Sequence, residues 1–173
     1  MKKIFWLFVS VVLIIIIDQI SKSKVASDFY LGESVPVIKG FFNFTYVRNP
    51  GAAFGFGGSF SNWLRYSLFL ALPVIACIWL TYLMVKSVTG PVLLSAAYAL
   101  ILGGAIGNLI DRFRLDYVID FFDFYYGKYH FATFNVADSA ITIAAGLLIL
   151  DFFIQKKKEN SIENIEISNK KTE

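Results

Sequence analysis

Gly103-Gly104-Ala105-Ile106-Gly107-Asn108-Leu109-Ile110-Asp111-Arg112 is the stretch from which the fold is read. It closes one long apolar segment, and the chain enters the next through Phe134-Asn135-Val136-Ala137-Asp138. An aromatic, acidic connection lies between them. Five carboxylates fall in this region: Asp111, Asp116, Asp120, Asp123 and Asp138. Carboxylates beside apolar runs are costly to place, so they usually have a task or a partner. Gly103 and Gly107 stand four apart, on one face of a helix, which permits close helix packing. The rest of the chain builds a membrane frame around this region.

The chain has 173 residues, is 57% hydrophobic and has a mean hydropathy of +0.61. Its apolar residues come in blocks, which points to one membrane-embedded domain rather than a soluble one. The net charge of +3 is modest and no basic patch suggests nucleic acid. Cys77, the single cysteine, cannot form an internal disulfide and reads as a small core residue. His130 is also alone, which excludes a two-histidine zinc motif.

Met1-Lys2-Lys3 followed by Ile4 to Ile17 imitates a signal peptide, but Asp18-Gln19-Ile20-Ser21-Lys22 offers no small-x-small cleavage site. It is therefore taken as a first span over about residues 4–20. Its apolar part is short for a span, so Asp18 and Gln19 are expected at the boundary or facing protein. Residues 28–62 differ in kind. Phe42, Phe44 and Tyr46 alternate with Asn43, Thr45 and Val47 at a strand period, and Val35-Pro36-Val37-Ile38 offers a partner strand. Asn49-Pro50-Gly51 reads as a turn, followed by a loop with Gly55, Gly57 and Gly58. Further spans are expected over about 64–85, with Pro73 as a tolerated kink, 92–110 and 136–154. The expected fold is thus an all-α membrane bundle of four transmembrane helices with a small β element on the membrane surface. The domain covers 1–154, and residues 155–173 form a polar, disordered tail.

Four spans put both termini on one side, and the dense terminal lysines assign that side to the cytoplasm. A whole-chain count does not decide, because the 16 Lys and Arg residues divide evenly between the two sides. The β element and the acidic connection are then outside.

Asn108, Asp111 and Arg112 share one face near the outer end of the third span. Asp111 reads equally as part of an inter-helix clamp or of a site, while Asn108 and Arg112 can reach a peptide backbone. Asp120 lies just past that helix and Asp138 in the first turn of the fourth, at one membrane depth. As a pair they would share a proton, one activating water and the other protonating a leaving group. As two unrelated aspartates, one is a cap and the other is solvated. A helix N-terminus favours charged Asp138 and aromatic neighbours favour neutral Asp120, which suggests base and acid respectively. Asn135 fits an N-cap, and Asn49 a turn; either amide would equally hold a substrate backbone. Asp18 and Lys22, at i and i+4, read as a structural ion pair.

These segments together resemble the lipoprotein signal peptidases, also called signal peptidase II. The match runs through Asp18-Gln19-Ile20-Ser21-Lys22, Asn49-Pro50-Gly51-Ala52-Ala53-Phe54-Gly55, the Gly103–Arg112 stretch, Val118-Ile119-Asp120-Phe121 and Phe134-Asn135-Val136-Ala137-Asp138. They occur in the family's order and cover the chain to about Ile154. The resemblance implies an aspartyl protease of four membrane helices with an extracytoplasmic β-cradle, in the bacterial cytoplasmic membrane, monomeric, its active site facing outward and both termini cytoplasmic. Its substrates are prolipoproteins carrying a diacylglyceryl-modified cysteine, cut just before that cysteine without metal or other cofactor. By position, Asp120 and Asp138 are the catalytic pair. Asn49, Gly51, Asn108, Arg112 and Asn135 line the substrate site, and Asp18, Lys22 and Asp111 support it. The family's cyclic peptide inhibitor globomycin and membrane lipid are expected partners. Ser21 replaces a more usual threonine.

Three other readings compete on the residues alone. A metal-dependent lipid transferase would gather Asp111, Asp116, Asp120 and Asp123 around Mg²⁺, although their spacing is irregular. A proton-coupled transporter would place its carboxylates near mid-span, whereas these lie at one end. A Ser-Lys protease using Ser21 or Ser23 is weakly motivated, because the lysines also fit the membrane interface.

Overall fold

The protein is described by a computed structural model over residues 2–51 and 56–170, with side chains to residue 162. Four helices are long and apolar enough to span a membrane: α1 (Lys2–Asp28), α2 (Asn62–Thr89), α3 (Val92–Leu115) and α4, whose apolar part is Val136–Ile162. The four expected spans are present, each longer than its apolar core because polar ends continue the helix. The expected Ala52–Gly55 part of the glycine loop lies outside the described residues.

The departure is largest in α4, which runs without a break over Val136–Lys170. Polarity after Ile154 suggested a disordered tail. The chain remains helical there because Gln155, Lys156, Lys157, Lys158 and Glu159 are all strong helix formers. In α2 the turn Ser67–Ala71 is widened to a π-helix directly before Pro73. Pro73 offers no N–H and crowds the carbonyl four residues back, and the wide turn accommodates both effects.

The sheet is larger than the residue pattern suggested. Strands β1 (Ser34–Ile38) and β2 (Phe42–Asn49) form the expected hairpin. The acidic connection supplies two more, β3 (Val118–Tyr126) and β4 (Tyr129–His130), giving the antiparallel order β1-β2-β3-β4. The first four residues of β3 are all buried, so no alternation marks it in the sequence. Val25 of α1 packs with Tyr46, Ile119 and Phe121, which seats the sheet on the end of α1.

Helix α3 is the axis of the bundle. Half of its most apolar stretch is buried, against 17%, 6% and 22% for α1, α2 and α4. Its glycines allow this. A Cβ on Gly103 would lie 3.0 Å from Ile14, and one on Gly107 would lie 2.7 Å from Asp18 Oδ2. A Cβ on Gly104 would run into the backbone carbonyl of Ala137. Thus α1 and α4 both touch bare α3 backbone. The half of the bundle away from the sheet is filled by Leu7, Val11, Met84, Ala99 and Leu102.

Gly104→Ala should therefore force α4 off α3 and lower stability by roughly 1–3 kcal/mol, as overpacking does. Gly146→Ala, in the same bundle but with open space around it, should be neutral or slightly stabilising. Thermal midpoints in detergent check the contrast. Equal midpoints for the two variants would show that α3 does not depend on that close approach.

Candidate active site

The site is assembled where the C-terminal ends of α1 and α3 and the N-terminal end of α4 meet β3. Asp120 sits on β3, and β2 pairs with that strand so that Val47 faces Asp120 and Asn49 faces Val118. Side chains two apart share a sheet face, so Asn49 is a diagonal neighbour of Asp120. Its Nδ2 donates to Asp120 Oδ2 at 3.0 Å, while its Oδ1 accepts from the Gly51 N–H at 3.0 Å. The turn reading of Asn49 holds, and its amide nitrogen also meets Asp120, a contact that the residue pattern did not suggest.

Asp138 lies in the first turn of α4, and Asn135 caps that helix. The Asp138 N–H donates to Asn135 Oδ1 at 3.0 Å, and the Asn135 N–H donates back to Asp138 Oδ2 at 3.2 Å. This is a capping box with aspartate in the acidic position. The cap fixes the other end of the amide. Asn135 Nδ2 donates to Asp120 Oδ1 at 2.7 Å, and also reaches Asn108 Oδ1 and the Ile119 carbonyl. Asn108 Nδ2 donates to Asp138 Oδ1 at 2.8 Å. Asp120 and Asp138 are therefore linked through two amides, and both aspartates open on one cavity.

Beneath this pair lies a buried ionic knot. Lys22, 1% exposed, places its ammonium 2.8 Å from Asp18 Oδ2, 3.0 Å from Asp111 Oδ2 and 2.8 Å from Asn108 Oδ1. Asp18 Oδ1 also accepts the Ala137 N–H at the start of α4, and Asp111 Oδ2 accepts the Ile119 N–H beside Asp120. Gln19 joins Asp18 to Asp111 through its amide. Asp111 is thus an inter-helix clamp that also holds β3 at the residue before Asp120.

The cavity measures about 610 Å³. Asn49, Asn108, Arg112, Asp120 and Asp138 form its polar side, and Phe131, Phe134, Ile141 and Ile143 an apolar side on β4–α4. Gly51 is buried outside it, with its carbonyl held by Arg112 Nη2 at 3.0 Å, and Asn135 is fully buried behind the pair. Burial first, and the neighbouring Asp138 charge second, push Asp120 up to about 7 against the pull of the Asn49 and Asn135 amides and of Lys22. Asp120 so keeps a proton into the neutral range.

The aspartates of the metal-site reading do not gather. Asp111 faces Lys22, and Asp116 is exposed as the left-handed end of α3. Asp123 is buried at the far side of the sheet. Burial raises it, but His130, Asn43 and Thr45 together hold it below the usual carboxylate range. Among the described residues no three His, Cys, Asp or Glu side chains converge to hold an ion. Residue patterns missed Arg65 altogether. It binds the carbonyls of Pro50 and Asp116, which lie 15 and 51 residues away.

Comparison with known proteins agrees over most of the chain. A model of the signal peptidase II family matches residues 10–154. A lipoprotein signal peptidase of Shewanella sediminis is 51% identical over 159 residues, which is 90% of this chain and 87% of that protein. One from Syntrophus aciditrophicus is 46% identical over 162 residues, covering 93% of this chain and all of the relative. Among solved structures, a bacterial membrane enzyme obtained by the in meso method superposes with a TM-score of 0.77 at 32% identity, covering 88% of this chain and 90% of that one.

Lys22→Met should be severe, because it leaves Asp18 and Asp111 buried without a cation; breaking a buried pair this way costs about 3–5 kcal/mol. Lys24→Met removes only the exposed pair with Asp28 and should leave the midpoint essentially unchanged. Detergent melting of both proteins decides. A Lys22→Met midpoint matching the Lys24→Met midpoint would mean that the knot contributes nothing to folding.

Proposed function

The chain belongs to the signal peptidase II family, and from that premise we propose that it is an aspartyl endopeptidase of the bacterial cytoplasmic membrane. It removes the signal peptide from diacylglyceryl-modified prolipoproteins, cutting just before the lipidated cysteine. The observation that carries this reading is that Asp120 and Asp138 face one cavity and are joined by the Asn108 and Asn135 amides.

In this mechanism Asp138, held at a helix N-terminus, accepts a proton from water as the water oxygen bonds to the scissile carbonyl carbon. The proton on Asp120 passes to the amide nitrogen as the carbon–nitrogen bond breaks. The pair ends with its single proton on the opposite member and re-equilibrates, so the proton belongs to the dyad. Asn49, Asn108 and Arg112 line the cavity and meet the substrate backbone. Gly51 and Asn135 act from behind, holding Arg112 and Asp120 in place. The apolar wall of Phe131, Ile141 and Ile143 suits the lipid-modified residue, which the bilayer delivers laterally. Globomycin would occupy the same cavity. The working unit is a monomer and no metal takes part.

Asp120→Asn and Asp138→Asn should each abolish cleavage of a lipid-modified precursor in detergent, with the double variant little worse than either single one. Wild-type turnover should fall as pH rises through about 7, where Asp120 loses its proton. A chelator should have no effect. Near-normal turnover by either purified single variant removes that aspartate from the chemistry.

Topology is a second part of the proposal: the sheet and the cavity face outward, and both termini face the cytoplasm. In a Cys77→Ser background, cysteines at Gly58→Cys and Lys128→Cys should react with an impermeant thiol reagent in intact spheroplasts, while Ser161→Cys should not. The reverse labelling pattern would refute the topology and the lipoprotein reading with it.

A further inference from the structure

Strand β2 ends at Asn49, so Pro50 and Gly51, the rest of the turn, lie beyond the β2–β3 ladder. Their two consecutive carbonyls are instead taken by guanidinium groups from two different helices. Arg65, in the first turns of α2, donates through Nη2 to the Pro50 carbonyl at 3.2 Å and to the Asp116 carbonyl at 3.0 Å. Arg112 of α3 donates through Nη2 to the Gly51 carbonyl at 3.0 Å.

The Asp116 carbonyl is a fixed point. Asp116 is the left-handed residue (φ 64°) that ends α3, and its N–H is bonded to the Arg112 carbonyl. Two residues on, Val118 opens β3 opposite Asn49. Arg65 therefore spans the two chain segments that enter and leave the β2–β3 pair at its open end. Among the described residues, the buried side-chain polar atoms without a hydrogen-bond partner are the Nε atoms of Arg65 and Arg112. That desolvation cost falls on the two side chains that grip the turn.

We infer that Arg65 is a positioning residue, which locks the Asn49-Pro50-Gly51 turn where the Asn49 amide donates to Asp120. It touches neither aspartate by any hydrogen bond and acts through Asn49. A guanidinium suits the task because it is permanently charged and donates to two carbonyls from a rigid plane. Helix α2 is otherwise the least buried of the four, and through this side chain it is coupled to the turn that meets Asp120 on β3. The importance of the contact rests on the role proposed above for Asp120, but its existence can be read without any turnover.

Asp120 is surrounded by Asp138 from α4, Lys22 from α1, Arg112 from α3, Asn135 before α4 and Asn49 from β2. The Asn49 amide favours the charged carboxylate, so its loss should move the Asp120 titration upward. The full-length protein in detergent is titrated by infrared difference spectroscopy, with the Asp120 carboxyl band assigned against Asp120→Asn. Asn49→Ala should raise the midpoint, and Arg65→Gln should raise it comparably, by about half a pH unit or more. In the Asn49→Ala background, Arg65→Gln should add nothing. A shift that persists there would mean that the charge of Arg65 acts directly through space, and would overturn the inference. An unmoved midpoint in Arg65→Gln would overturn it as well. If Arg65→Gln does not fold, Arg65→Lys, which keeps the charge but loses the plane, serves in its place: the midpoint should rise, and should not rise further in the Asn49→Ala background, while an unmoved midpoint, or a shift that persists there, would show that Arg65 does not act through Asn49 and would overturn the inference. Failure of the protease reading would appear separately, as normal turnover by Asp120→Asn.

Discussion

The Lys22 ammonium is the interaction on which the rest of the structure depends. It is almost fully buried, and each of its three N–H bonds has an acceptor: Asp18, Asp111 and Asn108. A buried charge is tolerated only when it is paired and hydrogen-bonded, and this one is both. Two carboxylates face one ammonium, so the excess negative charge needs other donors. Those donors are the Ala137 N–H, the Ile119 N–H and the Gln19 amide. They belong to the start of α4, to β3 and to α1. The knot that neutralises Lys22 is thus also what brings the segments bearing Asp138 and Asp120 together.

The same ammonium orders the site in a second way. Lysine can only donate, so Asn108 must offer Oδ1 to it and is left presenting Nδ2 to Asp138. At the helix cap, the Asp138 N–H can only donate, so Asn135 offers Oδ1 there and presents Nδ2 to Asp120. Neither amide can turn over without setting donor against donor. The direction of the whole network follows from one ammonium and one backbone N–H. Both aspartates receive amide donors, while burial and their mutual repulsion favour keeping a proton on the pair.

Much of this was legible in the sequence, for identifiable reasons. The four spans follow from apolar runs, and the i, i+4 spacing of Asp18 and Lys22 follows from helix geometry. Asp120 and Asp138 stand out because carboxylates beside membrane segments are rare. Gly103 and Gly107 gave the close-packing face, though not which helices use it; Gly104 beside them makes the tightest approach to α4. Strand β3 was not legible because it is buried on both faces and loses the period of two. The helical course of residues 155–170 was hidden because polarity alone does not separate a solvated helix from coil. Arg65 was invisible for a deeper reason. Its partners are backbone carbonyls, which every residue has, so no residue type announces them.

The site also sets a limit on the fold. Asp120 binds its proton with a pKa near 7 in the folded protein, against an ordinary carboxylate value of 3.8 in the unfolded chain. Between those values the folded state holds more protons than the unfolded one, so stability falls as pH rises through that window. The full penalty is reached only above the folded value, and is of order a few kcal/mol. An alanine or a leucine at position 120 would not carry it. The ionic knot beneath is held differently: its one ammonium and its two carboxylates are all met by ionic or hydrogen-bonding partners within the protein. The carboxyl that is costly to ionise is therefore mounted on a strand that the knot grips at the adjacent Ile119 N–H, in a cavity whose other wall is apolar.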